Sequence, residues 1–152
     1  MPRNHRRFIL LVEDDTYIVS VFQRVFEGRP DFMLDIATKV SDALDKIKVV
    51  TYDLVFLDMK LGHSYAGMDI LRALNRQEIE VRARGQAIAH SLVIIMTASI
   101  NLRDVMEEAQ QLGVLCFIDK PIPLTAEFVK DVVQRLGLPL LPLEGTGPRP
   151  VQ

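Results

Sequence analysis

The sequence predicts an α/β fold: an open, parallel sheet of five strands with helices on both faces. Two observations predict it. Short apolar runs recur at 8–12, 54–57, 92–96 and 114–118, with a weaker one at 33–37. They are continuously apolar rather than alternating, as strands covered on both sides are. The segments between them carry apolar residues at helical spacing, so strand and helix alternate five times, the pattern of right-handed crossovers in a parallel sheet. Five strands are too few to close a barrel of parallel strands. At 152 residues the chain has room for one core, which removes most of the weight from two-domain enzyme readings.

Each element follows in order. After the first strand, a helix is expected over 16–27, with Ile18, Val19, Val21, Phe22, Val25 and Phe26 on one arc and Ser20, Gln23, Arg24 and Glu27 opposite. Gly28 is its expected left-handed stop. The second helix is expected to open at Ser41 as N-cap and to carry Ala43, Leu44 and Ile47. The third starts after Gly67, with Ile70, Leu71 and Leu74 at helical spacing. The stretch 77–90, mixed in sign through Glu78, Glu80, Arg82 and Arg84, is long for a connection and reads as a helix extension plus a loop. Asn101 caps the fourth helix, Val105, Met106, Ala109 and Leu112 form its stripe, and Gly113 stops it. The fifth helix runs from a Thr125 cap to Gly137, and Cys116 reads as buried filling of the strand before it. Beyond it, Pro139, Pro142, Pro148 and Pro150 with Gly145 and Gly147 describe an extended tail or linker. The expected division is a basic extension at 1–6, a folded domain at 7–137 and the tail at 138–152.

Composition excludes several classes. With 49% hydrophobic and 25% charged residues the chain is too apolar for disorder, and no apolar run approaches the roughly 18 residues of a membrane span. Neither membrane insertion nor a secretory signal is expected, because the basic start leads into a short apolar run that meets acidic residues at once. A net charge of −2 gives no electrostatic case for nucleic acid. The single cysteine, Cys116, excludes an internal disulfide and a cysteine-cluster metal site, and fits a reducing cytoplasmic setting. His5, His63 and His90 fall at a terminus or in expected loops, too scattered for a histidine metal site.

In open sheets of this type, ligands bind at the carboxyl ends of the strands. Glu13, Asp14 and Asp15 follow the first strand, Asp58 the third, Thr97 the fourth, and Asp119, Lys120 and Pro121 the fifth. Singly, each reads as a turn former, a helix cap or a solvated side chain. Together, acids converging on one sheet edge repel one another unless a cation compensates them. An oxygen-only donor set favours hard Mg²⁺ over zinc or copper. A lysine and a threonine hydroxyl at the same edge suit the equatorial oxygens of a phosphoryl group.

Four motifs in order, Ile9-Leu10-Leu11-Val12-Glu13-Asp14-Asp15, Asp53-Leu54-Val55-Phe56-Leu57-Asp58, Val93-Ile94-Ile95-Met96-Thr97-Ala98 and Phe117-Ile118-Asp119-Lys120-Pro121, resemble the receiver domain of two-component response regulators over about 7–137. The resemblance implies a flavodoxin-like three-layer fold with strand order 2-1-3-4-5. It implies that Asp58 is the phosphoacceptor for a phosphohistidine on a sensor histidine kinase or phosphotransfer protein. By the same resemblance Asp14 touches Mg²⁺ directly, Glu13 acts through water, and Lys60 offers its backbone carbonyl, while Asp15 is a helix-start acid. Thr97 and Lys120 match the groups that hold phosphoryl oxygens, small Ala98 leaves space beside them, and Lys120-Pro121 matches a bond that is usually cis in the family. Thr97 and Phe117 match the switch pair, although Phe117 reads equally well as permanently packed core. The face expected to change is the fourth helix, fifth strand and fifth helix, which would meet an unknown output protein or a second copy of the chain.

Departures from the family pattern fall in the loop after Asp58, where Gly62 stands in place of the usual proline and about one residue is added before Gly67. By the same resemblance, Lys60 and Ser99 fall at positions that flank the path of the water that hydrolyses an acyl phosphate. Because neither the leading residues nor the tail can form an output domain, output through a separate partner is expected. Two other classes share parts of this pattern: a non-phosphorylated scaffold with this fold, and a phosphatase of the haloacid-dehalogenase type, which needs an Asp where Lys60 stands. Self-phosphorylation and self-dephosphorylation are the only catalysis the main reading expects.

Overall fold

The computed structural model describes residues 6–61, 66–85, 91–97, 103–119 and 125–135. In chain order the elements are β1 (Arg7–Val12), α1 (Thr16–Phe26), β2 (Phe32–Ala37), α2 (Val40–Val49), β3 (Leu54–Asp58), α3 (Gly67–Ala83), β4 (Leu92–Thr97), α4 (Arg103–Gln111), β5 (Cys116–Asp119) and α5 (Ala126–Arg135). The strands form one parallel sheet in the order β2-β1-β3-β4-β5. This is the flavodoxin-like arrangement, and its order reverses between β1 and β3.

Strand side chains alternate between the two faces of the sheet, so a continuously apolar strand feeds two cores. Ile9, Leu11, Phe56, Ile94 and Met96 join Phe22 and Val25 of α1 and Val129 and Val133 of α5. Leu10, Val12, Val55, Leu57, Val93 and Ile95 join Ile47 of α2, Ile70 and Leu71 of α3 and Ala109 of α4. Helices therefore flank both faces, α1 and α5 on one and α2, α3 and α4 on the other. Phe22 and Phe56 meet edge to face with ring centroids 4.7 Å apart, locking α1 onto β3.

The helix stops sit where expected. Gly28, at φ 69°, follows α1, and Gly113, at φ 85°, follows α4. At the latter the Gly113 N–H donates to the Gln110 carbonyl and the Val114 N–H to the Ala109 carbonyl, the reciprocal pair of a Schellman cap. That cap corrects one expectation. Val114 is still closing α4, so β5 begins at Cys116 and not at residue 114.

Two further expectations are corrected. The second helix opens one residue before Ser41, because Lys39 is extended (φ −134°, ψ 152°) and its carbonyl accepts the first helical bond, from Ala43. Ser41 lies inside the first turn. Cys116 is exposed, because β5 is an edge strand; even so, desolvation by the surrounding chain holds its thiol above its ordinary range. The expected extension of α3 is present, reaching Ala83, with Gly85 at φ 72° after it. The Asn101 cap, the remainder of 77–90 beyond Gly85, Gly137 and the tail lie outside the described residues.

At the opposite edge from the candidate site, Asp53 ties three strands together. Its carboxylate accepts the Phe8 N–H at 2.8 Å, its own N–H donates to the Phe8 carbonyl, and its carbonyl accepts the Leu92 N–H.

Candidate functional site

Register brings the site together. Val12 pairs with Leu57, and Asp58 pairs with Met96, so the residue after β1 and the last residue of β3 reach the same edge. The Glu13 N–H donates to the Ala37 carbonyl at 3.0 Å and carries the β1–β2 ladder one step past the strand. Thr97 ends β4 opposite Asp119. Glu13, Asp14 and Asp58 each present a carboxylate oxygen, and the three oxygens lie within 4.8 Å of one another.

Glu13 is 0% exposed, Asp58 and Thr97 are each 5% exposed, and Asp14 faces solvent. Hydrogen bonds from the backbone orient the acids. Glu13 Oε1 accepts the Asp15 N–H at 3.1 Å, and Asp58 Oδ1 accepts the Lys60 N–H at 3.1 Å. Asp15, expected to start the helix, caps α1 by accepting the Tyr17 N–H at 2.9 Å. The three adjacent acids after β1 are thus divided in role: two face the shared edge, and the third fixes the helix that follows.

The donor chemistry fits a hard divalent cation. All three donors are carboxylate oxygens, two of the residues are buried, and no histidine or cysteine joins them among the described residues. A cation with open positions at this edge would leave room for water and for the oxygens of an incoming anion.

Of the other expected site residues, Lys60 is exposed, with its backbone directly beyond β3. Phe117 is half-buried and packs against the core on the α2–α3–α4 side. Lys120, Pro121, Ala98, Ser99 and Gly62 lie outside the described residues, as do His5, His63 and His90. One contributor was not singled out from the sequence. Gly67, after which the sequence predicts the third helix, packs against the backbone of Asp58 and Met59 and donates its N–H to the Met59 carbonyl at 3.1 Å.

A family model for the response regulator receiver domain matches residues 9–132. The chain belongs to this family. It is 35% identical over 135 residues to Sporulation initiation phosphotransferase F of Bacillus subtilis (strain 168), covering 87% of this chain and 94% of that one. Among solved structures, a signal receiver domain from Vibrio parahaemolyticus aligns with a TM-score of 0.65 at 27% identity, covering 86% of this chain and 88% of that one. The response regulator TrrA from Thermotoga maritima, solved with Mg²⁺-BeF, aligns at 0.60 with 21% identity over 86% and 98% of the two chains and so shares the fold. This is therefore a receiver domain of two-component systems. No helix among the described residues is long and apolar enough to cross a membrane.

Proposed function

We propose that this receiver domain takes a phosphoryl group from the phosphohistidine of a sensor histidine kinase or phosphotransfer protein onto Asp58, in a reaction that depends on Mg²⁺. The observation that carries the reading is the meeting of two buried carboxylates and one exposed carboxylate at the edge where β3 delivers Asp58. In the transfer, a carboxylate oxygen of Asp58 attacks phosphorus, the phosphorus–nitrogen bond breaks, and its electron pair returns to the departing imidazole, which takes up a proton. Glu13, Asp14, Asp58 and the backbone carbonyl of Lys60 would hold Mg²⁺. When bound, the ion supplies charge neutralisation of the acids and of the equatorial phosphoryl oxygens.

Thr97 would donate its hydroxyl, and Lys120 its ammonium, to those oxygens. Thr97 ends the strand next to β3, so its backbone position relative to Asp58 is set by strand pairing. Phosphorylation adds charge and acceptor oxygens beside Thr97 and favours a conformer in which Thr97 moves toward the phosphate and Phe117 turns inward. The α4-β5-α5 face would then signal to an output protein, or pair with a second copy of the chain. The relative named a phosphotransferase supports a place in a relay of such transfers. A cytoplasmic setting and the absence of any catalysis beyond its own phosphorylation and dephosphorylation complete the reading.

Incubation with acetyl phosphate and Mg²⁺, followed by intact-mass measurement, tests it. The expected result is one added phosphoryl group on the wild type and none on Asp58→Asn. No added mass on the wild type would instead favour a non-phosphorylated interaction module.

A further inference from the structure

Gly67 opens α3, and its backbone does not require glycine. The glycines in the left-handed region, among the described residues, are Gly28, Gly85 and Gly113. What Gly67 supplies is space. A Cβ there would sit 2.6 Å from the Asp58 carbonyl oxygen, 2.8 Å from Met59 Cα and 3.0 Å from the Met59 carbonyl oxygen, all backbone atoms that cannot swing aside as a side chain can. The same residue bonds to this segment, its N–H donating to the Met59 carbonyl at 3.1 Å. From the other side, the Met59 N–H donates to the Met96 carbonyl of β4 at 3.1 Å, and the Lys60 N–H donates to Asp58 Oδ1. Residues 58–60 are therefore clamped between β4 and the first turn of α3, and the clamp closes only if position 67 has no side chain.

We infer that Gly67 is a positioning residue for the cation and phosphoryl site, acting through the backbone of Asp58, Met59 and Lys60. The inference rests on the proposed Mg²⁺-dependent phosphorylation of Asp58. A methyl group at 67 must push α3 away from the 58–60 backbone or displace that backbone. Either shift changes the direction of the Asp58 carboxylate and of the Lys60 carbonyl, which the reading assigns to the cation. The damage falls on cation affinity before it falls on the fold, because Ile70 and Leu71 still anchor α3 in the core.

The test compares the wild type, Gly67→Ala and Ala73→Gly. Ala73 is a buried α3 residue that takes no part in the clamp, so its variant loses stability from the same helix without disturbing 58–60. Mg²⁺ affinity is measured by calorimetric titration, stability by urea unfolding, and phosphate uptake with acetyl phosphate. Gly67→Ala is expected to bind Mg²⁺ about tenfold or more weakly, the usual range when the support of a metal ligand is disturbed, while Ala73→Gly binds as the wild type does. The inference is overturned if Gly67→Ala binds within about twofold of the wild type, or if both variants lose affinity in step with their stability. Should Gly67→Ala fail to fold, hydrogen exchange at the Gly67 amide of the wild type decides. Exchange slowed by Mg²⁺ supports the clamp, and exchange indifferent to Mg²⁺ overturns it. A wild type that neither binds Mg²⁺ nor takes up phosphate would overturn the proposed function itself, an outcome distinct from failure of the variant alone.

Discussion

Replacing Asp58 by Asn should stabilise the protein when no divalent cation is present. The three carboxylates lie within 4.8 Å of one another, and two of them belong to residues that are 0% and 5% exposed. At the effective dielectric of a protein site, two like charges at that distance repel by about 3 kcal/mol, and by about 1 kcal/mol where water screens one of them as it does Asp14. Neutralising Asp58 removes its repulsion with both. The gain is offset by about 2 kcal/mol, because the partners of Asp58, the Lys60 N–H among them, then face a neutral oxygen rather than a charged one. A net stabilisation of about 2 kcal/mol corresponds to a rise in Tm of about 4–8 °C for a chain of this size. The assay is thermal unfolding in EDTA and again in saturating Mg²⁺. The wild type should gain on adding Mg²⁺, by about 2.7 kcal/mol at a hundredfold excess over Kd, and the variant should gain less, so the gap narrows or reverses. A variant that melts at or below the wild type in EDTA would refute the claim that these charges are held together against repulsion.

Three further outcomes follow from the rest of the molecule. Tyr52 is 1% exposed and donates to Asp35 Oδ2 at 2.6 Å; burial, and then that hydrogen bond, raise its pKa above the ordinary tyrosine value. Above about pH 10 the unfolded chain releases this proton while the folded chain keeps it, so stability is full below that pH and falls as pH rises. Tyr52→Phe should cost about 1 kcal/mol at neutral pH and flatten the alkaline fall, read from urea midpoints between about pH 8 and 11. Gly28→Ala, at φ 69°, should lower the urea midpoint by about 1 kcal/mol equivalent with the slope unchanged. Phe56→Ala should cost about 3–5 kcal/mol in urea unfolding, since the ring is 1% exposed and stacked edge to face on Phe22.

The sheet was legible because the runs that form β1, β3 and β4 record one physical fact: strands covered on both faces need no polar alternation. The acids were legible for a related reason, since strand ends are fixed once strands are, and Glu13, Asp14 and Asp58 met where that rule put them. What escaped depended on backbone geometry or sheet order. The shift of β5 to Cys116 came from the Schellman cap, which consumes Val114 after Gly113. Exposure of Cys116 followed from its place on an edge strand, which an apolar run cannot reveal. The start of α2 before Ser41 was set by the extended backbone of Lys39 and not by a capping side chain. Gly67 escaped because a missing side chain carries no chemistry of its own; only the 2.6 Å approach of a hypothetical Cβ to the Asp58 carbonyl reveals it.

Packing divides the molecule into parts that yield readily and parts that do not. The backbones of Asp58 and Thr97 are held by the pairing of β3 with β4, which leaves only the Thr97 side chain to turn, and Ile94, Ile95 and Met96 of that pairing are all 0% exposed. Moving the strands against each other would break both cores at once, so the acceptor edge is stiff. The helices differ in what holds them. α1 buries Ile18, Val21, Phe22, Val25 and Phe26, whereas α4, nine residues long, fully buries Ala109, with Val105, and Leu112 just after the helix, packed at the margin of the core. Its tie to α3 is the pair of bonds from Arg72 to Glu108 at 2.7 and 2.9 Å, both residues exposed. Elements with little buried apolar surface open at lower free energy than elements with much. A charge added at the stiff edge therefore displaces α4 at less cost than α1, and Phe117, half-buried, packs on the same side of the sheet as the element that yields first.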